Sequence, residues 1–492
     1  MDRWTIKRSQ IPVKYNWFKR IACLLLIFCC VNSADGRSSA KQVKLETVEK
    51  LKELNVDNKN DTLLEFVSLV HLQNESVTKG LFSALDSRED VRNELIERLI
   101  LDLASSEASL FTDKLRSLEL VFQLKPELIE SKIGEHKGTP LQLAAEETFE
   151  NGKQLELIQV LIDNKANVNL RDHHNSTVLH WAVRCNVSTD EVISLIKLLI
   201  ESGAELNSVN EYGQTFVHHA SCKTTPETFQ EIVRYLDTIK NTESFTIRDK
   251  EGAEVLHLAV FYYERLENDT LQIFQSNGGD FNAKQDNNLN VLDCAVANTR
   301  DVSFLKTLIA FGADWRKKRE TGDTALHWAA YNGNLPAFKL FKSLGTNVNS
   351  LDNNGQSVLT YTIMNGQNST FIKKIIRLGA NWKMVNREMK ETGLHWAALT
   401  GNLSALKLFI SLGANVNAKN SFGDTPLHYV FIPSSRIGND TFEIVKQLVR
   451  NGANPNIRNE DGDLPLNLAK NKIENKRLKR RVVNLLLTRM GR

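Results

Sequence analysis

Residues 392–417 read Thr-Gly-Leu-His-Trp-Ala-Ala-Leu-Thr-Gly-Asn-Leu-Ser-Ala-Leu-Lys-Leu-Phe-Ile-Ser-Leu-Gly-Ala-Asn-Val-Asn, and this stretch decides the fold. It opens with a short apolar helix that starts at Thr392. A turn follows, and then a second helix with apolar residues at Leu406, Phe409 and Ile410, the i, i+3, i+4 spacing of a buried face. Gly413 suits the end of that helix because glycine tolerates positive φ. The Asn-Val-Asn turn then leads into a hairpin and the next unit.

The same grammar recurs along the chain. Leu141, Leu179, Val217, Leu256, Leu292, Leu326, Leu359, Leu394, Leu427 and Leu466 hold the third position of ten such starts, at spacings of 38, 38, 39, 36, 34, 33, 35, 33 and 39 residues. Gly203, Gly312, Gly379 and Gly452, each followed by Ala, close second helices as Gly413 does. A period just above roughly 33 residues marks a stack of helical pairs, in which no unit buries its apolar face alone.

This pattern resembles the ankyrin-repeat family over about residues 136–490, in nine to ten units. The resemblance implies an all-α solenoid of stacked repeats, each a helix-turn-helix joined to the next by a β-hairpin loop. It also implies that the start-motif Thr and His hydrogen-bond the turn and tie neighbouring units. Here these are Thr177/His180, Thr215/His218, Thr324/His327, Thr392/His395, Thr425/His428 and, without its Thr, His257. Six of the eleven histidines are thereby read as structural rather than as metal or catalytic groups. Asp293, Thr360 and Asn467 depart from the pattern at the His position.

The flanks differ. Residues 1–20 are basic, residues 21–31 are uninterruptedly apolar, and small residues follow, with Val31 and Ser33 suited to cleavage after Ser33. This order is that of a secretory signal peptide over residues 1–33, with an uncleaved anchor as the alternative. Eleven apolar residues span only about 16 Å as a helix, short of a roughly 30 Å hydrocarbon core. Six of the 62 basic and one of the 59 acidic side chains lie in residues 1–33, so the remainder carries a net charge of −2. Near neutrality gives no reason to expect nucleic-acid binding. Residues 41–135 lack the motif but show apolar stripes over Val91–Ala104 and Lys114–Phe122, as a helical N-terminal cap would. At the other end, Lys476, Arg477, Lys479, Arg480 and Arg481 fit a solvated cap face, with a nuclear signal or a protease site as alternatives.

Eight Asn-x-Ser/Thr sequons begin at Asn60, Asn74, Asn175, Asn186, Asn268, Asn368, Asn402 and Asn439. Four of them (Asn186, Asn268, Asn368 and Asn439) fall between the two helices of a unit, where a glycan would clear the packing. Cys185 and Cys222 occupy similar places in neighbouring units and are read either as a pair or as small buried thiols.

Phe304–Leu359 and Phe371–Leu427 match at an offset of 67 and then 68 residues, as if a two-repeat block had been copied. The copy pairs Trp315 with Trp382, each followed by a base, Arg316 or Lys383, where Asn is usual. Exposed Trp beside a cation is typical of interface anchors; duplication of one odd unit is the alternative. With the hairpin-tip residues Asp172, His173, Tyr212, Lys317, Asn353 and Phe422, these Trp define an expected partner-binding face.

Motifs for zinc proteases, phosphate-binding loops, serine nucleophiles and redox cysteine pairs are absent from the sequence. The expectation is a protein-binding scaffold with no enzymatic activity, cofactor or metal, secreted or held in the secretory pathway. An intracellular adaptor or inhibitor, resembling the ankyrin inhibitors of transcription factors, is the second reading. A membrane-active toxin is the third; a helical region followed by repeats is similar to the layout of spider latrotoxins, in that respect alone.

Overall fold

The computed structural model describes residues 89–149, 152–241, 243–432 and 440–490, with a few positions between 70 and 82. Among the described residues it contains 22 α-helices and no extended strand. The chain divides into two compact units, residues 1–205 and 206–492.

In the first unit, α1 (Glu89–Ala104) and α2 (Ala108–Leu124) extend the two apolar stripes read from sequence. α1 buries Leu95, Ile96, Leu99, Ile100 and Leu103, and α2 buries Phe111, Leu118, Val121 and Phe122. Helix α3 (Pro140–Glu146), α4 (Gln154–Asp163), α5 (Val178–Ala182) and α6 (Thr189–Glu201) follow. α1 packs on α3 and α2 packs on α4, so the pair α1–α2 occupies the place of a repeat without carrying its motif. Asn93 donates to the Lys132 carbonyl at 3.1 Å, and the Gly134 amide donates to Glu97 at 3.1 Å, which fastens α1 to the first hairpin.

The second unit repeats one step eight times. Its first helices are α7 (Phe216–Lys223), α9 (Val255–Tyr262), α11 (Val291–Asn298), α13 (Ala325–Tyr331), α15 (Val358–Met364), α17 (Gly393–Leu399), α19 (Pro426–Tyr429) and α21 (Pro465–Lys472). Each packs on the next in the series. Their partners are α8 (Pro226–Thr238), α10 (Asn268–Ser276), α12 (Val302–Ala310), α14 (Leu335–Ser343), α16 (Ser369–Arg377), α18 (Leu403–Ser411), α20 (Thr441–Arg450) and α22 (Lys476–Met490). First helices such as α13 and α17 bury most of their residues, whereas second helices bury one stripe, such as Phe338 and Phe341 on α14 or Leu406 and Phe409 on α18. Gly413 ends α18 with φ of 83°, as the sequence requires.

The hairpin loops form single antiparallel bridges, Lys284 with Asn290 and Leu351 with Ser357 among them, and not strand ladders. The loops are short, and a side-chain oxygen takes the amides that a ladder would use. Cys185 and Cys222 are free thiols. Each points back at its own helix, to the Ala182 carbonyl at 2.8 Å and the His219 carbonyl at 3.3 Å. The basic run near the C-terminus lies on α22, whose Val482 and Leu486 are buried while Lys476, Arg477, Arg480 and Arg481 are exposed. The signal-like segment 1–33 and Asn60, Asn74 and Asn439 lie outside the described residues.

Candidate protein-binding face

The start motif builds the frame of the face. In α17 the Thr392 amide donates to His395 Nδ1 at 3.1 Å, and the Thr392 hydroxyl bonds the same nitrogen at 2.9 Å. That leaves the Nε2 proton to donate forward, to the Asp424 carbonyl of the next hairpin at 3.1 Å. The same forward bond runs from His218 to Ala253, His257 to Ala283 and His428 to Asp463, at 2.9–3.3 Å. Each imidazole thus closes its own helix N-terminus and grips the following repeat. Burial pushes these imidazoles below their ordinary pKa, to about 4 at His327 and His395, which keeps them neutral. In the first unit Gln142 substitutes for His: its oxygen accepts from Thr139 at 2.7 Å, and its nitrogen donates to Leu170 and Ser176, both at 2.9 Å.

Asp293 at the His position caps its helix but has no proton to donate forward. It exchanges hydrogen bonds with Asn290 at 2.9 and 3.2 Å. Burial raises its carboxyl to about 6, against the opposing pull of Arg319. Arg319 in turn pairs with Asp323 and lies 4.6 Å over the Trp328 ring.

A second device shapes the hairpin tips, and it is not part of the motif read from sequence. One oxygen of an Asp or Asn accepts the amides two and four residues on. The remaining side-chain atom reaches a polar ring nine residues on. Asp172 bonds the indole of Trp181 at 2.9 Å, Asn210 bonds His219 at 3.0 Å, Asp352 bonds the Tyr361 hydroxyl at 3.0 Å, and Asn420 bonds the Tyr429 hydroxyl at 2.9 Å. The i, i+9 spacing of these residues was the signal available in the sequence. Neighbouring tips also bond through backbone: Lys250 to Tyr212, Asp286 to Glu251, Asn353 to Thr321, Ser421 to Met389 and Glu460 to Phe422, at 2.8–2.9 Å.

The expected contact residues divide on this frame. Tyr212 (55% exposed) and Phe422 (51% exposed) stand out from their tips, because their backbones are held by the tip ladder while their rings have no pocket. His173, Lys317 and Asn353 are exposed, and Asn353 Nδ2 holds the Glu320 carbonyl at 2.8 Å. Arg316 and Lys383 are exposed as well. Asp172 is corrected: it is buried and spends both oxygens on its tip and Trp181. The Trp pair is corrected too. Trp315 is buried, with the Arg316 guanidinium laid 4.3 Å over its ring. Trp382 is half-buried beneath Lys383, lining a cleft with Gly393, Leu394, Phe409 and Ala414. The adjacent base covers each indole instead of flanking a free one.

Among the sequons, Asn175, Asn186, Asn268 and Asn368 are exposed. Asn402 is buried: its oxygen caps α18 through the Ala405 amide at 2.9 Å, and its nitrogen donates to the Gln367 carbonyl at 3.1 Å. The atom a glycan would occupy is therefore committed to the neighbouring repeat.

Comparison with known proteins agrees with this geometry. Family models described as ankyrin repeats match residues 136–173, 174–211, 292–373 and 394–446. A putative ankyrin repeat protein of Acanthamoeba polyphaga mimivirus is 24% identical over 206 residues, 42% of this chain and 22% of that protein. A palmitoyltransferase of Mus musculus is 27% identical over 184 residues, 30% of this chain and 29% of that enzyme. An alpha-latrotoxin of Latrodectus geometricus is 31% identical over 135 residues, 27% of this chain and 10% of the toxin. The chain thus spans less than a third of each of these relatives, and what is shared is the repeat. Ankyrin repeats are protein–protein interaction modules, generally without catalytic activity of their own. No helix among the described residues is long and apolar enough to cross a membrane. From its tied first helices to its matched segments, this chain carries an array of ankyrin repeats.

Proposed function

We propose that this chain is a non-enzymatic binding scaffold, secreted or held in the lumen of the secretory pathway, that grips a partner protein on its hairpin tips and first helices. The observation that carries the reading is the contrast at the tips. Their backbones are locked by the ladder and the Asx bonds, yet the Tyr212 and Phe422 rings and the Lys317 ammonium stand exposed. Rigid aromatic anchors lose little entropy on binding, which favours them at contact surfaces.

Two experiments test the two halves of this reading. The full chain is expressed in eukaryotic cells, and medium and lysate are treated with an endoglycosidase. The expected result is a mobility shift and a new N-terminus at Ala34. An unglycosylated cytosolic product with Met1 intact defeats the secretory half. For the binding half, a photo-crosslinking amino acid is placed at Phe422 or, as a control, at Leu487 on the exposed side of α22. A discrete protein adduct from position 422 alone supports the tip face; equal labelling at both positions counts against it.

The intracellular adaptor is the second reading. It is favoured by one observation: Cys185, Cys222 and Cys294 are all free thiols, as a reducing compartment would leave them.

A further inference from the structure

Seven of the ten histidines among residues 89–490 belong to the repeat frame: His180, His218, His257, His327, His395 and His428 at the start-motif position, where His327 closes its own helix N-terminus without a forward bond from Nε2, and His219 through its bond to Asn210. The other three, His136, His173 and His174, come together on the first two hairpin tips of the first unit. One ring nitrogen of each lies within 4.8 Å of the other two. His136 and His173 stack at 11° with centroids 6.4 Å apart, and the His173 and His174 centroids are 3.7 Å apart. We propose that His136, His173 and His174 form a binding site for a divalent transition-metal ion of the zinc class, held by three imidazole nitrogens across two adjacent tips.

The backbone brings the three rings to one place. The His173 amide donates to the His136 carbonyl at 3.4 Å, which joins the two tips. The His174 amide is fixed by Asp172 at 2.8 Å. Trp181, itself held by Asp172, stands edge-on to His136 at 5.8 Å and walls one side.

The second observation is the tautomer. His173 Nδ1 lies 3.0 Å from the His136 carbonyl oxygen. A carbonyl only accepts, so Nδ1 carries the proton and Nε2 carries the lone pair. A ligating imidazole whose other nitrogen donates to a backbone carbonyl is the usual outer-shell arrangement of metal sites, because it fixes the ring and raises its basicity. Zinc–nitrogen bonds of about 2.0–2.1 Å place tetrahedral donors roughly 3.4 Å apart. His173 is exposed and the other two half-exposed, so their side chains have room to make that closure by rotation alone. Three protein nitrogens leave a fourth position for water or for a side chain of a bound partner. Imidazole donors favour zinc, copper or nickel over magnesium or calcium.

The test uses the full chain, stripped with a chelator and titrated with Zn²⁺ at pH 7.5 against a chromophoric competitor. The wild type is expected to hold one zinc more than the His173→Ala/His174→Ala variant, so sites elsewhere on the chain cancel in the difference. His136→Ala alone is expected to weaken that zinc at least about 10- to 100-fold, as loss of an essential contact does. Far-UV circular dichroism verifies that each variant is folded. Thermal melts of the wild type supply a readout independent of the variants: Zn²⁺ raises Tm and Mg²⁺ does not. Equal zinc content in wild type and double variant overturns the site, as does a wild-type Tm indifferent to zinc or raised equally by both ions.

Discussion

His327 and His395 are held neutral inside the first-helix stack, with pKa values pushed down to about 4 by burial. An unfolded chain titrates its imidazoles near 6.5. Between about pH 6.5 and 4 the unfolded chain therefore takes up protons that the folded one refuses, and stability falls as pH drops through that window; above it the contribution is complete and level. Urea unfolding at pH 7.5 and 4.5 is expected to show a loss on the order of 2 kcal/mol or more. Asp293 works in the opposite sense. Its carboxyl, raised to about 6, is charged and buried at neutral pH, which costs stability there and is relieved as pH falls through 6. Asp293→Asn keeps an oxygen for the Asn290 amide and is expected to stabilise the chain by about 1 kcal/mol at pH 7.5, with the gain shrinking by pH 5. A variant less stable than wild type at pH 7.5 would show that the charge on Asp293 is needed by Arg319.

At the scale of the element, helix ends and seams decide more than helix interiors. Asn402 caps α18 and reaches back to the Gln367 carbonyl, so Asn402→Ala is expected to cost about 2–3 kcal/mol in equilibrium unfolding, a lost cap plus an orphaned carbonyl. Trp315→Ala is expected to cost about 3–5 kcal/mol as a cavity in a buried seam, and Trp382→Ala distinctly less, since that ring is half-exposed. Equal losses would show that the two copies of the duplicated block pack alike. The helices themselves were legible in the sequence. Thr392, His395 and Gly413 state where a helix starts, what it grips and where it ends, all within local reach. Trp315 and Trp382 were misread for a physical reason. A base beside an indole either flanks an open anchor or folds over it, and only packing against the neighbouring repeat determines which. The same holds for Asp172, whose carboxylate turns inward because the tip amides and Trp181 offer it partners that a residue-by-residue reading does not place.

For the whole molecule, function turns on which side chains the frame leaves unspent. Tyr212→Ser with Phe422→Ser is expected to leave the melting temperature within about 2 °C of wild type, since exposed side chains away from packing rarely matter to stability. The same double variant is expected to lower partner capture in cross-linking from a neighbouring tip position such as Asn353. A large fall in Tm would instead make those rings part of the fold. The solenoid was readable because its period is written ten times over; the partner is not, because an ankyrin frame is indifferent to what its tips carry. The buried sequon at Asn402 adds a matter of timing. Sugar transfer acts on an unfolded, passing chain, whereas α18 and its neighbour seal that amide once they dock. On the secretory reading, the fraction of chains carrying sugar at Asn402 becomes a clock. It records how often the transferase outran docking, and every chain that lost the race keeps the mark.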